Sequence, residues 1–237
     1  METKEAQENI NKILEEEKPE KLLPKFEKAE EACYKGSEQG LKNLVYFASE
    51  IVWYYWDKKQ MDSVVEIYVK VRKVIDYLIG IKDSFIWQEA LVSTYPKLAN
   101  AYMELGEWEE ADSTIQYYLK YLHEMCNGVN ILNDLYCHKC ELGNLFHTVE
   151  RLSNHYKSVG ETYQALTCLS SISRFMNFSD EKTQVYYDAS LAKLFYAAFL
   201  ESYNNAKENF DCLKAEGPGT ITEDMKKIMS ELHELQQ

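Results

Sequence analysis

The sequence predicts an all-α protein. Apolar residues recur at intervals of three and four over most of the 237 residues, and no strand-like alternation is sustained. Tyr, Leu, Ala, Glu and Lys are plentiful, while four Pro and nine Gly are few. A chain of this length buries a sizeable core and is expected to form one continuous unit.

The elements follow in order. Residues 1–18 set Ile10, Ile13 and Leu14 among many charges, which suggests a short amphipathic helix. Pro19 and Pro24 interrupt, and Leu22, Leu23, Phe26, Ala29 and Cys33 then keep helical spacing, so a helix is expected over 20–35, stopped by Gly36. Residues 38–57 and 61–79 read as two aromatic- and Val-rich helices around a Lys58-Lys59-Gln60 turn. Asp83 or Ser84 can cap the next helix. Its stripe of Trp87, Leu91, Tyr95, Leu98 and Tyr102 runs past Pro96, which removes the hydrogen bond to the Val92 carbonyl. One helix kinked near Val92–Pro96 is expected, with two abutting helices as the alternative. Further helices are expected over 108–125, 130–158, 161–175 and 180–201, the last capped by Asn177 or Ser179. Gly217-Pro218-Gly219 is the clearest break in the chain. After it, Thr220-Ile221-Thr222-Glu223 has capping-box spacing, and Ile221, Met225, Ile228, Met229 and Leu232 form one apolar stripe.

Residues 97–111 organise the rest. Leu98, Ala99 and Tyr102 share a helical face, and Gly106 offers a positive φ where the helix stops. Glu107, Glu109 and Glu110 place negative charge in the first turn of the next helix. Trp108, Ala111 and Ile115 lie on that helix's inner face. This unit resembles a tetratricopeptide repeat (TPR), and the same offsets return at Leu152, Ser153, Tyr156, Gly160, Ala165 and Leu169. Ile51, Val52, Tyr55, Met61, Val64 and Tyr68 match with Lys59 in the glycine's place. Tyr203, Ala206 and Phe210 match the second half of a fourth unit, with Glu201 in that place. Val64, Ala111, Ala165 and Ala206 stand 47, 54 and 41 residues apart, against a family period of about 34, so the likeness is to the long-helix members. The resemblance implies an antiparallel helical-hairpin α-solenoid: an N-terminal helical cap over 1–36, repeats over 37–216, and a C-terminal amphipathic capping helix over 217–237.

The formal net charge of −13 argues against a nucleic-acid partner, because phosphate binding needs a basic face. No apolar run is long enough to span a bilayer, so no membrane insertion is expected. Met1-Glu2-Thr3-Lys4-Glu5 has the character of neither a signal nor a transit peptide. The six cysteines then read as reduced thiols, and the Asn177-Phe178-Ser179 sequon as chance. A cytoplasmic location follows, with cytoskeletal or ciliary association among the options. Phosphate loops, His-Glu-x-x-His and nucleophilic triads are all missing, so no enzyme and no small-molecule substrate are expected. Cys137, Cys140 and His147 share one helical face, but zinc wants four N or S ligands closing a tetrahedron, which one helix cannot easily supply. The expectation is therefore no metal and no cofactor.

In repeats of this kind, the first helix of each hairpin lines a concave groove. Carried over residue by residue, the resemblance places Glu50, Trp53, Trp56 and Asp57 there, followed by Lys97, Asn100, Met103 and Glu104. His147, Arg151, Asn154 and Lys157 come next, and the fourth unit adds Asp188 and Phe195. The implied function is a scaffold or adaptor whose groove binds a peptide or helix of a partner protein. A permanent structural subunit of a large cytoskeletal or ciliary assembly is the alternative, and an enzyme or metal-binding protein on a helical scaffold is a remote one. For Trp53 and Trp56 the competing use is packing against the N-terminal helix.

Overall fold

The computed structural model describes residues 19–79, 86–126, 139–177, 179–217 and 221–236, with side chains placed for all of these except 86–93, 123–126 and 139–141. The described residues are all-helical with no strand among them. None of their helices is long and apolar enough to cross a membrane. The chain forms two compact units, one up to Thr148 and one from Val149 onward.

The first unit contains α1 (Pro19–Tyr34), α2 (Glu38–Asp57), α3 (Met61–Ile79), α4 (Ile86–Leu105) and α5 (Trp108–Cys126). Each of these helices packs on the one before it, and α3 also touches α1 while α4 touches α2. The core is the set of residues that the helical spacing selects: Phe26, Leu44, Ile51, Val71, Ile75, Leu98, Ile115 and Leu122 are all buried. Helices α1 and α2 approach closely at Gly40, where an added Cβ would lie 2.9 Å from that of Ala32. Pro96 lies inside α4, which is one helix and not two. The expected caps at Asp83 and Ser84 lie outside the described residues, as does the helix expected within 1–18.

One turn geometry recurs. Gly36, Lys59, Gly106 and Gly160 all take a left-handed φ of 56 to 88°. In each case the next residue's N–H donates to a carbonyl five residues back: Ser37 to Ala32, Gln60 to Tyr55, Glu107 to Tyr102 and Glu161 to Tyr156. That same residue's carbonyl then accepts the first bond of the following helix, from Leu41, Val64, Ala111 and Ala165. The positions that the sequence assigns to close helix contact are all buried: Val52 and Val64, Ala99 and Ala111, Ser153 and Ala165. Ser153 Oγ donates to the Ala165 carbonyl at 2.8 Å, which explains how a hydroxyl is accommodated in that contact.

Helix α6 (Lys139–Ser158) runs across the division between the units. The second unit continues with α7 (Thr162–Ser170), the four-residue α8 (Ser173–Met176), α9 (Glu181–Glu216) and α10 (Glu223–Gln236). Three expectations are corrected here. The helix expected over 161–175 breaks after Ser170, where Ser170 Oγ and Ser171 Oγ donate to the carbonyls of Thr167 and Cys168 and compete with the helical ladder. The cap of α9 is Asp180, not Asn177 or Ser179: its carboxylate accepts from the Thr183 N–H and from the Thr183 hydroxyl. These bonds hold the Asp180 carboxyl below its ordinary range. Finally, α9 is a single helix of 36 residues, and no turn occurs at Glu201. The fourth match of the repeat pattern is therefore not a fourth hairpin. No Gly or Pro interrupts 181–216, and Gly217, with φ 133°, ends the helix.

Candidate functional site

The sequence-selected residues on α2 form a distinct surface. Leu41, Leu44, Ala48, Ile51 and Val52 turn inward and are buried. The opposite face is thereby fixed, and Tyr46, Glu50, Trp53 and Asp57 follow along it at intervals of four, three and four. Trp53 is 63% exposed and Trp56, on its shoulder, is 37% exposed. Tyr46 is exposed as well. Sequence reasoning passed over Tyr46, although it sits two helical turns before Trp53, and the spacing that selects Trp53 also selects it. At the end of the helix, Asp57 pairs with Lys58 at 3.4 Å, and the Lys58 ammonium lies 5.8 Å from the Tyr54 ring centre. The surface thus combines three large aromatic side chains with carboxylates, a composition suited to gripping apolar and cationic groups of another chain.

The α4 residues divide differently. Lys97 is half-buried and Glu104 exposed. Met103 is buried and belongs to the core, so its assignment to a groove is corrected. The Asn100 amide donates to the Pro96 carbonyl at 3.0 Å and to Thr148 Oγ1 at 2.7 Å, and Thr148 donates in turn to the Asn144 carbonyl. Both Asn100 amide hydrogens are therefore spent inside the first unit. Toward a partner, Asn100 has only acceptor capacity left to offer.

Beside α4 lies a cluster that sequence reasoning missed. Tyr95 and Tyr117 both donate to Asp76 Oδ1, at 2.8 and 3.2 Å. Arg72 approaches Asp76 at 3.6 Å and lies 5.4 Å from the Tyr117 ring centre. Tyr95 stacks with both Tyr117 and Tyr118. Burial, reinforced by the bond to Asp76, pushes the Tyr95 phenol far above its ordinary pKa. Burial and the bond to Tyr121 do the same for Tyr117. Both hydroxyls are held as protonated donors, so the cluster ties α3, α4 and α5 together through fixed hydrogen bonds. Its signal in the sequence was weak, because Asp76 and Tyr95 are 19 residues apart on different helices.

In the second unit, Arg151 is half-buried, while Asn154 and Lys157 are exposed on α6. Ser190 of α9 donates to Glu150 at 2.6 Å, next to Arg151. Asp188 and Phe195 are exposed on α9. Since the two units are separate bodies, Glu50, Trp53, Trp56, Lys97, Asn100 and Glu104 belong to one surface set and Arg151, Asn154 and Lys157 to another.

Cys137 and the side chain of Cys140 lie outside the described residues, and His147 is exposed. Among the described residues, no three His, Cys, Asp or Glu side chains converge as a metal site would require. Cys33 and Cys168 are buried thiols and Cys212 is exposed. Burial, with Glu30 nearby, pushes the Cys33 thiol up to about 11, which makes it unreactive at neutral pH. Comparison with protein-family models, with curated proteins and with solved structures finds no match.

Proposed function

We propose that this protein is a TPR-like, non-enzymatic scaffold that binds a partner polypeptide through the outward face of α2. Its helices would be paired as long hairpins of an α-solenoid. The recurring left-handed turns at Lys59, Gly106 and Gly160 support that reading, as do the small or β-branched residues buried at matching offsets around each. The contacts of α3 with α1 and of α4 with α2 are those expected when successive hairpins stack.

The observation that carries the functional reading is the exposure of Trp53 and Trp56 together with Tyr46 on one helix face. A large aromatic left in water forgoes the burial that would stabilise it, and such residues are the ones that dominate binding energy once covered. Glu50 and Asp57 on the same face favour a partner helix or peptide with an apolar stripe and cationic flanks. The test is to recover the partner with the full chain as bait and then measure its affinity for variants. Trp53→Ala is expected to weaken binding by ~2 kcal/mol or more, about thirtyfold. Glu50→Ala should weaken it less. Parental affinity in Trp53→Ala, Trp56→Ala and Glu50→Ala alike would show that α2 is not the binding face.

A further inference from the structure

Helix α9 carries two apolar stripes. Tyr187, Leu194 and Ala198 lie on one and are buried. The other runs from Val185 to Leu213 through Ala192, Tyr196, Phe199 and Tyr203, with apolar residues at alternating intervals of four and three, the spacing of a coiled-coil seam. Helix α10 reaches this seam at one place. It packs on α9, and its His233 extends a ring stack that runs from Phe199 through Tyr203. His233 Nδ1 lies 3.1 Å from the Tyr203 hydroxyl, so the chain doubles back along α9. The seat is a loose one: α10 has no buried residue, and its Met225, Ile228 and Leu235 are exposed. It is also short, with 14 residues spanning about 21 Å against about 42 Å of seam. Before Phe199 the seam is bare: Val185 is 67% exposed and Tyr196 54%, with Ala189 and Ala192 exposed between them. Scattered surface apolar residues need no explanation, but a contiguous strip in seam register does.

We infer that this seam docks an acidic amphipathic helix of a partner protein, longer than α10, which takes the place of α10 on Tyr203. Two observations choose that occupant. The first is charge. Beside the seam, Tyr186, Lys193, Leu200, Lys207 and Lys214 follow at intervals of seven, and the three lysines are exposed. Among the described residues none of the three pairs with a carboxylate, although the whole chain has a formal net charge of −13. The opposite flank is acidic only at Glu181 and Asp188 and continues as Phe195, Ser202 and Asn209. In coiled-coil register the lysine flank faces one flank of the docked helix along its length, and carboxylates there would pair with all three. A second copy of this chain does not supply them. Laid parallel it would bring Ser202 and Asn209 to Lys207 and Lys214, and laid antiparallel it would set the lysine flank on itself. The second observation is α10, a helix of the stated kind already seated on the seam. It is amphipathic, with Glu223, Asp224, Glu231 and Glu234 against Lys226 and Lys227. A longer helix would cover Tyr203 equally and the bare stretch from Val185 to Tyr196 besides. Removing α10 gives up no fully buried side chain of its own.

The test titrates the full chain into a labelled synthetic peptide of four heptads, with leucine at both seam positions and glutamate on both flanks, and follows fluorescence anisotropy. The glutamates also keep the peptide from pairing with itself. Saturable binding is expected, and the same peptide with lysine flanks should bind about tenfold more weakly or worse. Ala192→Glu, at an exposed position, should leave the helical spectrum unchanged and weaken binding by about tenfold or more, as should Lys207→Glu combined with Lys214→Glu. Leu232→Glu, on α10, removes a competitor and should tighten binding by about threefold or more. Trp53→Ala lies on α2 and should leave binding unchanged. The inference is overturned if the glutamate peptide does not bind, or if the lysine peptide binds as well. Parental affinity in Ala192→Glu or in Leu232→Glu overturns it too, and a loss in Trp53→Ala would place the peptide on α2 instead. If phosphatidylserine vesicles bind the chain where the glutamate peptide does not, the lysine flank serves an acidic lipid surface and the inference likewise fails.

Discussion

The turn at Gly106 and the middle of α9 carry the same residue spacing and fold differently. After Gly106 come Trp108, Ala111 and Ile115; after Glu201 come Tyr203, Ala206 and Phe210 at identical offsets. At Gly106 the first helix stops, with φ 79° and the left-handed turn described above. At Glu201 the helix continues. Glycine alone does not decide between them, because Lys59 makes the same turn with φ 56°. What differs is what a continuing helix would present. Beyond Asp57 the chain reads Lys-Lys-Gln, exposed and polar, so extending α2 would add no apolar contact. Beyond Leu200 a straight helix keeps Tyr203, Ala206 and Phe210 on one helical face, with the Tyr203 ring stacked on His233 of α10, and a turn there would take Tyr203 away from that contact. A left-handed non-glycine residue costs roughly 1–2 kcal/mol, and only a gain in packing offsets that.

The largest test of this contrast lies at the small residues. Ala111 and Ala165 are fully buried after real turns, whereas Ala206 holds the same offset in an unbroken helix and is only half-buried. Ala111→Leu and Ala165→Leu are expected to overpack their contacts and cost about 1–3 kcal/mol in denaturant or thermal unfolding. Ala206→Leu should stay within about 0.5 kcal/mol of the parent. Equal losses at all three positions would mean that Ala206 also marks a close helix contact, and the distinction drawn here would fail.

Much of the fold was legible because the sequence states it twice, in period and in punctuation. Helices α2 and α3 begin and end where the apolar spacing and the Lys-Lys-Gln turn put them. The offsets around Gly106 and Gly160 correctly placed Ala99, Ala111, Ser153 and Ala165 in the interior. Two features were illegible for physical reasons. A single-sequence period cannot tell a helix that turns from one that runs on, because both keep the same face apolar; hence the missed continuity of α9. Nor can it pair side chains across helices, so Asp76, Tyr95 and Tyr117 gave no warning of their cluster. The α2 surface was half legible: Trp53 and Trp56 were singled out by spacing, but how far each is exposed could not be read from the period. Asn100 shows the opposite case, since a residue chosen for a partner spends its donors on Pro96 and Thr148.

A reciprocal exchange sharpens the comparison further. Gly106→Ala forces a Cβ into a left-handed position with open space around it, so the loss should come from backbone strain alone, about 1 kcal/mol. Glu201→Gly places glycine in a helix interior and should also cost about 1 kcal/mol. The two substitutions are opposite in chemistry and equal in direction because the backbones differ. If Glu201→Gly stabilises the protein instead, the chain turns at 201 and α9 is two helices.

The smallest effect tests whether the turn at Lys59 stores strain. Lysine there holds φ 56°, while the three equivalent positions have glycine. Lys59→Gly removes the contact between Cβ and the following carbonyl, a relief of roughly 1–2 kcal/mol. It also loosens the unfolded chain, which opposes that gain by roughly 0.5–1 kcal/mol. The Lys59 side chain is exposed, so little packing is lost with it. The expected net result is a stabilisation of about 0.5 kcal/mol, seen as a higher denaturant midpoint at unchanged slope. Lys59→Asn should fall between the two, since asparagine tolerates the left-handed region better than lysine does. A lower midpoint for Lys59→Gly would mean that the turn is held by the lysine's own contacts and not tolerated against strain. The rule that packing beyond the turn decides where these helices stop would then lose its clearest case.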